Sequence, residues 1–248
     1  MTMVPGVDVG SPQGQINAAQ WQRVHQERPW AALRLVEGLG GMDGTYTENL
    51  ASARAAGETI GVYCVLEPWH DPVAQAQHWF ALCAGLGSRG DGLPPALDFE
   101  LDHDAARMMT PVQVFAALVA CVQEMTRLWG RPPTIYTYPF FWHAMLAGAT
   151  PAELAIVSEC TLWFAAYKTN GVPPTPPAPW TKVTYWQESG GDEYKTPAGA
   201  PCDADFFLGE PAELAALASF VATPVPIPDP LAGVPVPGLV IAGEGTEK

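Results

Sequence analysis

Two acids stand two residues apart in an otherwise apolar run, Leu93-Pro-Pro-Ala-Leu-Asp98-Phe-Glu100. On an extended strand, residues i and i+2 point to the same side, about 6–7 Å apart along the chain. Both carboxyl groups would then face one reacting centre. Burial and mutual repulsion raise the pKa of one member of such a pair and keep it protonated near neutral pH. Glycoside cleavage uses this arrangement: an acid protonates the leaving oxygen and an anion stabilises a cationic sugar. The same residues also read as a strand that ends in a solvated acidic turn, since Asp102 and Asp104 follow.

Asp8, in Gly6-Val-Asp-Val-Gly10, and Asp203, in Pro201-Cys-Asp-Ala-Asp-Phe-Phe207, also fall at strand ends. Singly, each reads as a turn or structural acid. In a barrel, however, strands one and eight are neighbours and strand four lies across, so Asp8, Asp98, Glu100 and Asp203 would converge where barrel active sites lie. Aromatic residues cluster at the same strand ends: Tyr63, Trp69, Tyr136, Tyr138, Trp163, Tyr167 and Trp186. Sugar rings stack on such planes, and phenol and indole groups add hydrogen bonds. Tyr63, Tyr136, Tyr167, Trp186 and Trp69 are therefore candidate substrate contacts, with packing as the plainer alternative for each. Glu37, at the end of Arg34-Leu-Val-Glu-Gly38, is a weaker candidate. No phosphate loop, nucleophile elbow or dinucleotide fingerprint is present.

The elements that must position these residues alternate along the chain. Strands are expected at 4–9, 30–37, 59–66, 95–100, 133–138, 161–167, 183–189 and 202–207. Helices are expected at 18–27, 45–56, 72–86, 111–129, 139–148 and 210–221. Strand alternating with helix implies βαβ units, a parallel sheet and the α/β class. Thr45 with Glu48 gives a capping-box pattern, and Gly57 a helix stop. Asp71-Pro72, Thr110-Pro111 and Thr150-Pro151 each place a capping side chain before a proline at the first helical position. Phe115, Leu118, Val119, Val122, Met125 and Trp129 recur at helical spacing and form a core-facing stripe. The segments 168–182 and 190–201 show no helical period and read as loops. The stretch 223–248, with four prolines in alternate positions from Pro224 to Pro230, reads as an extended tail outside the domain at 1–222.

The bulk composition narrows the chemistry. With 48% hydrophobic residues in 248, one large domain can bury a core. A net charge of −14 disfavours nucleic acid and anionic membrane surfaces as partners. Cys64, Cys83, Cys121, Cys160 and Cys202 are odd in number, form no C-x-x-C and read as buried free thiols made in a reducing compartment. His25, His70, His78, His103 and His143 make no metal-binding pattern, so neither a metal nor a cofactor is expected. The N-terminus shows neither the basic nor the apolar region of a signal peptide, and no window is long and apolar enough for a membrane span.

The order of motifs resembles the glycoside hydrolase family 25 lysozymes, the Chalaropsis-type muramidases, over about residues 5–208. The resemblance opens with Gly6-Val-Asp-Val9 and Gln13-Gly-Gln-Ile-Asn17. It continues through Arg34-Leu-Val-Glu-Gly38, Asp43, Asn49, Ala56-Gly57, Gly61-Val-Tyr63 and Asp71-Pro72 with Gln75-Ala76. Leu93 to Glu100 is similar to the signature strand. Arg131-Pro-Pro-Thr-Ile-Tyr136, Leu162-Trp-Phe-Ala-Ala-Tyr167, Tyr185-Trp-Gln187 and Asp203 with Phe207 follow in order. Cys64 departs from the pattern, standing where the family often has His, and 101–108 is unusually acidic.

The resemblance implies a modified TIM-type barrel, with five β/α units followed by three strands lacking regular helices. It implies cleavage of the β-1,4 bond between N-acetylmuramic acid and N-acetylglucosamine, with peptidoglycan as the partner. It makes Glu100 the general acid/base, Asp98 its partner, and Asp8 and Asp203 the acidic floor, with Tyr63, Tyr136 and Tyr167 contacting substrate or ordering the carboxylates. The nucleophile is either a carboxylate or the substrate's own N-acetyl oxygen steered by Asp98. The leaderless N-terminus suggests a phage enzyme made in the host cytoplasm. It would reach the wall through a holin or on a virion, with 223–248 as a tether. The rival expectations are a non-catalytic glycan-binding or structural virion protein that keeps the fold, and a barrel glycosidase acting on another polysaccharide.

Overall fold

The computed structural model describes residues 2–85, 92–100, 108–167, 169–195 and 201–219. The expected tail at 223–248 and most of the acidic stretch at 101–108 lie outside the described residues. Eight strands close into one barrel in sequential order. They are β1 (Val4–Val9), β2 (Trp30–Glu37), β3 (Thr59–Val65), β4 (Ala96–Asp98), β5 (Thr134–Thr137), β6 (Thr161–Ala165), β7 (Tyr185–Lys195) and β8 (Pro201–Phe207). Among the described residues, seven helices accompany them: α1 (Ala18–Glu27), α2 (Tyr46–Ala56), α3 (Pro72–Gly85), α4 (Pro111–Trp129), α5 (Pro139–Leu146), α6 (Pro151–Ser158) and α7 (Pro211–Ala218).

Three sequence expectations need correction. The barrel is not wholly parallel, because β8 runs antiparallel to both β7 and β1. β7 ends at Lys195 and β8 begins at Pro201, a connection too short for the crossover that a parallel pair needs. The segment from 190 is not loop at its start: β7 continues to Lys195 and pairs there with Pro201. Ser189-Gly-Gly-Asp-Glu-Tyr-Lys195 has no hydrophobic alternation to read as a strand. Finally, the expected helix ranges omit α6, although Thr150-Pro151 marks its start. Thr150 accepts from the Glu153 amide in a complete capping box.

Other helix starts follow their local chemistry. Thr110 caps α4 through the Gln113 amide, and Asp71 accepts from the amides of Val73 and Ala74 at the head of α3. Thr45 makes no such bond; its hydroxyl instead donates to Asp43, 2.7 Å away. Gly57 ends α2 at φ 92°, a left-handed conformation that suits glycine.

Strand alternation divides the apolar residues into two cores. Outward residues such as Val7, Leu33, Leu97, Ile135, Leu162 and Trp186 pack under the helices. The α4 stripe joins them, with all six residues buried. The five cysteines are free and buried, as expected. Inward residues fill the lower barrel, where Trp30, Tyr185, Phe207, Ala32 and Ala96 pack beneath Trp163 and Tyr136. Gly6 makes this packing possible, since a Cβ there would fall inside the Trp30 indole. With the lower half plugged by large side chains, only the upper end of the barrel can hold a substrate. Among the described residues, no helix is long and apolar enough to cross a membrane.

Glu58, just before β3, is a buried acid outside that upper end. Neither of its carboxylate oxygens has a hydrogen-bond partner, and His25 Nδ1 lies 3.6 Å away. Burial pushes the Glu58 carboxyl up to about 8 from 4.5. The folded protein therefore binds a proton that the unfolded chain has released, and stability falls as pH rises through that window. Glu58→Gln should remove this loss. Thermal melts should show wild type and variant close at pH about 5, with the variant more stable by on the order of 1–3 kcal/mol at pH about 8.5. A gap of the same size at both pH values would show that Glu58 does not titrate in this range.

Candidate active site

The upper barrel end holds a cavity of about 340 Å³. Inward positions near the tops of the strands line it: Asp8 from β1, Arg34 from β2, Tyr63 and Val65 from β3, Asp98 from β4, Tyr136 from β5 and Trp163 from β6. Gln187 from β7 and Asp203 from β8 complete the ring. Asp98 and Glu100 both reach the cavity, while Phe99 between them is buried on the helix side against Phe141 and Trp142. Regular β4 pairing ends at Asp98, but the Phe99 amide still donates to the Tyr136 carbonyl, so the alternation carries on to Glu100.

Asp203 arrives by a different route from the other acids. It lies near the start of β8, not at its carboxyl end. Because β8 is antiparallel, that start is at the barrel mouth, and Asp203 pairs directly with Asp8 across the ladder. Glu37 depends on an irregularity. The β2–β3 register shifts between Arg34 and Val36, so Leu35 and Val36 are both buried and Glu37 faces the cavity.

The loops on the rim are pinned by buried amides. Asn49 Oδ1 accepts from the Ile16 amide and steadies the loop of Pro12 and Gln13. Gln75 accepts from the Glu67 amide and donates to the Glu67 carbonyl, which holds the loop that carries Trp69 to the cavity wall. Arg34 is the lining cation, 2.8 Å from Asp43. Burial opposes ionisation of Asp43, but hydrogen bonds from Thr45, Ser11 and Arg34 outweigh it and bring the carboxyl down to about 2.

The centre of the site is an amide that the candidate list lacked. Gln187 Nε2 donates to Asp8 at 2.8 Å and to Asp203 at 3.1 Å. Its Oε1 accepts from the hydroxyls of Tyr136 at 2.9 Å and Tyr167 at 2.7 Å. The opposite orientation would aim a carbonyl at two carboxylates, so this one is electrostatically fixed. Below it, Asp205 is fully buried and accepts from Trp163 Nε1 at 2.8 Å. Strand alternation pointed to both residues: Gln187 shares a face with Tyr185, and Asp205 stands two positions after Asp203.

The candidate list is otherwise largely brought together. Asp8, Asp98, Glu100, Asp203, Tyr63, Tyr136, Glu37 and Trp69 all line the cavity. Tyr167 is 47% exposed and walls an adjoining groove of about 560 Å³ that also touches Glu100, Tyr136 and Phe140. Trp186 is the exception and is corrected here. It is fully buried on the outer face of β7, packs on Phe206 and donates to the Ala166 carbonyl. Strand parity turns its ring away from the cavity.

The crowding of acids has electrostatic consequences. Asp8 is pushed up, first by burial and then by the charge of Asp203, while the hydrogen bond from Gln187 opposes the rise. Burial and then Glu100 and Asp8 raise Asp98. Tyr63 and Tyr136 are raised by burial and the surrounding carboxylates, so they remain neutral donors. Six acids and one arginine line the cavity among the described residues. Such a wall can retain protons near neutral pH and can stabilise positive charge developing in a bound molecule.

Known proteins share this plan. The chain resembles the bacterial lysozyme from Streptomyces coelicolor, at 26% identity and a TM-score of 0.73, over 88% of this chain and 98% of that one. The family GH25 lysozyme from Aspergillus fumigatus, 24% identical, shares the fold at a TM-score of 0.73, over 88% of this chain and all of that one. The muramidase from Trichobolus zukalii, also 24% identical, superposes with a TM-score of 0.71 over 87% of this chain and 98% of that one. No curated protein matches the sequence. The sequence matches the family described as Glycosyl hydrolases family 25 over residues 7–194. The match spans most of the chain, and this chain is a glycoside hydrolase that belongs to glycosyl hydrolases family 25.

Proposed function

We propose that the protein is a muramidase that cuts the β-1,4 bond between N-acetylmuramic acid and N-acetylglucosamine in peptidoglycan. The observation that carries this reading is the convergence of Asp98 and Glu100 on one cavity floored by Asp8 and Asp203. Glu100 is the general acid. It is the half-buried member of the pair and also borders the groove beside Tyr167, so it can reach a leaving oxygen along an extended glycan. Its proton passes to the glycosidic oxygen as the bond from that oxygen to the anomeric carbon breaks.

We further propose that the substrate's own N-acetyl oxygen attacks the anomeric carbon and that Asp98 steers it. Support comes from Asp98, which lines the cavity beside Glu100 and whose Oδ1 has no hydrogen-bond partner within the protein. The resulting cyclic oxazolinium is opened by water, whose proton Glu100 takes back, and the product keeps its anomeric configuration. As for setting, we propose phage lysis or virion-borne wall degradation, with 223–248 as the tether in the second case. Recovery of the chain from purified virions by mass spectrometry would support the virion role, and its absence from them the lysis role.

Turbidity clearing of purified cell walls tests the assignment. Glu100→Gln should lower the rate about 10²- to 10⁴-fold with an unchanged circular dichroism spectrum. Equal clearing by wild type and variant would show that the acid is misassigned. Binding without clearing by either would favour the non-catalytic glycan-binding reading. Substrate assistance has a separate test, a glycan lacking the 2-acetamido group, which should react at least about 10²-fold more slowly. Normal turnover of that glycan would instead make a carboxylate the nucleophile.

A further inference from the structure

Asp205 lies below the cavity and is not one of its lining residues. On β8 it pairs with Gly6 of β1, while Asp203 pairs with Asp8. Asp8 and Asp205 are thus diagonal neighbours on the inward face, within reach of each other's side chains. Gly6 offers no side chain to separate them. Both carboxyl groups are buried, and two carboxyl groups so placed can share a hydrogen bond only if one of them carries a proton.

The surroundings decide which one. Asp205 Oδ1 accepts from the Trp163 indole, whereas Oδ2 is buried and meets no N–H donor. Gln187, opposite Asp205 in the β7–β8 ladder, gives its two N–H bonds to Asp8 and Asp203 instead. Asp8 from β1 and Asp203 from its own strand act on Asp205 through their charges, and the Cys202 thiol also interacts with it. Arg28 donates to the Asp205 backbone carbonyl, at 3.4 Å, and to that of Gly6 at 2.8 Å. Burial, followed by the charge of Asp8, raises the Asp205 carboxyl well above the ordinary carboxylate range. Asp8 faces the open cavity and has the Gln187 donor, so it is the better anion of the two.

From this geometry we propose that Asp205 is a positioning residue: its carboxyl proton is donated upward to Asp8 and fixes that carboxylate in the wall of the active site. The kinetic part rests on the muramidase reading above; the location of the proton does not. While Asp205 stays protonated, Asp8 accepts from below and from Gln187 at the side, and its orientation toward the cavity is set. When Asp205 ionises at high pH, the donor becomes a second anion against Asp8 and the wall loses its geometry.

Asp205→Asn keeps an N–H donor toward Asp8 and an oxygen for Trp163, whereas Asp205→Ala removes both. With cell-wall substrate, Asp205→Asn should stay within about threefold of wild-type kcat, and its activity should persist to higher pH. Asp205→Ala should lose about tenfold or more in kcat with KM changed less than about twofold. Infrared difference spectra between wild type and Asp205→Asn at neutral pH should show the loss of one protonated-carboxyl component in the variant. Equal damage in both variants, an unchanged Asp205→Ala enzyme, or the full band persisting in Asp205→Asn would each overturn the proposal. Thermal melts identify a variant that fails to fold, and Asp205→Asn together with its infrared spectrum still decides the matter if Asp205→Ala does. A wild type that cleaves no wall would end the muramidase reading, while the infrared comparison still locates the proton.

Discussion

Five carboxyl groups crowded into the upper end of one closed barrel cannot all be ionised. Asp8, Asp98, Glu100 and Asp203 share one cavity, and Asp205 lies directly beneath it. Like charges at such spacing in a partly dry site drive protons onto some members of the set. That retained acidity is the resource an acid-catalysed glycosidase needs, and most neighbouring features manage it. Gln187 divides its two N–H groups between Asp8 and Asp203 and its oxygen between two phenols. Trp163 serves Asp205. Arg34 contributes positive charge near the rim but is itself held by Asp43. Full neutralisation by cations would have depressed the carboxyl pKa values and removed the proton source.

The barrel makes the crowding possible through pleat and closure. Alternation aims every second residue inward, and closure brings strands far apart in sequence onto one axis. The lower interior is filled with Trp30, Tyr185 and Phe207, so the acids are supported from below by packed rings rather than by water. The reversal of β8 matters for the same reason. It seats Asp203 beside Asp8 and sends Asp205 one layer deeper, next to Gly6. A parallel eighth strand would carry its first residues to the plugged end of the barrel, and the same sequence would not build this floor.

Much of this was legible in the residues. Asp98 and Glu100 stood out because acids two apart in an apolar run are expensive unless something uses them. The helix starts at Thr110 and Thr150 were visible because capping side chains act locally. The features that escaped are those set by long-range pairing. Trp186 looks like a sugar platform until strand parity is counted, after which its neighbour Gln187 takes the inward position. Glu37 faces the cavity only because of a bulge in β2, which no local pattern announces. The direction of β8 follows from what its connection lacks, and absence of a helical period is a weak signal in a polar segment. Asp205 escaped because a second acid beside Asp203 reads as surface when the strand's inward face is not yet known.

The charge of the protein also constrains how a wall polymer could be held. At −14 overall, and with acids dominating the cavity lining, long-range attraction cannot gather an anionic glycan. Affinity for such a polymer must come from short-range contact with uncharged parts of the sugar rings. Aromatic rings stand at the rim: Trp69 lines the cavity, and Tyr167 and the 81% exposed Phe140 border the adjoining groove. Aromatic faces bind the C–H surfaces of sugars without neutralising the carboxylates beneath them. Stacking and acidity are thus compatible in one site, whereas a basic binding surface at the same place would stabilise the carboxylates as anions and lower the acidity that bond cleavage draws on.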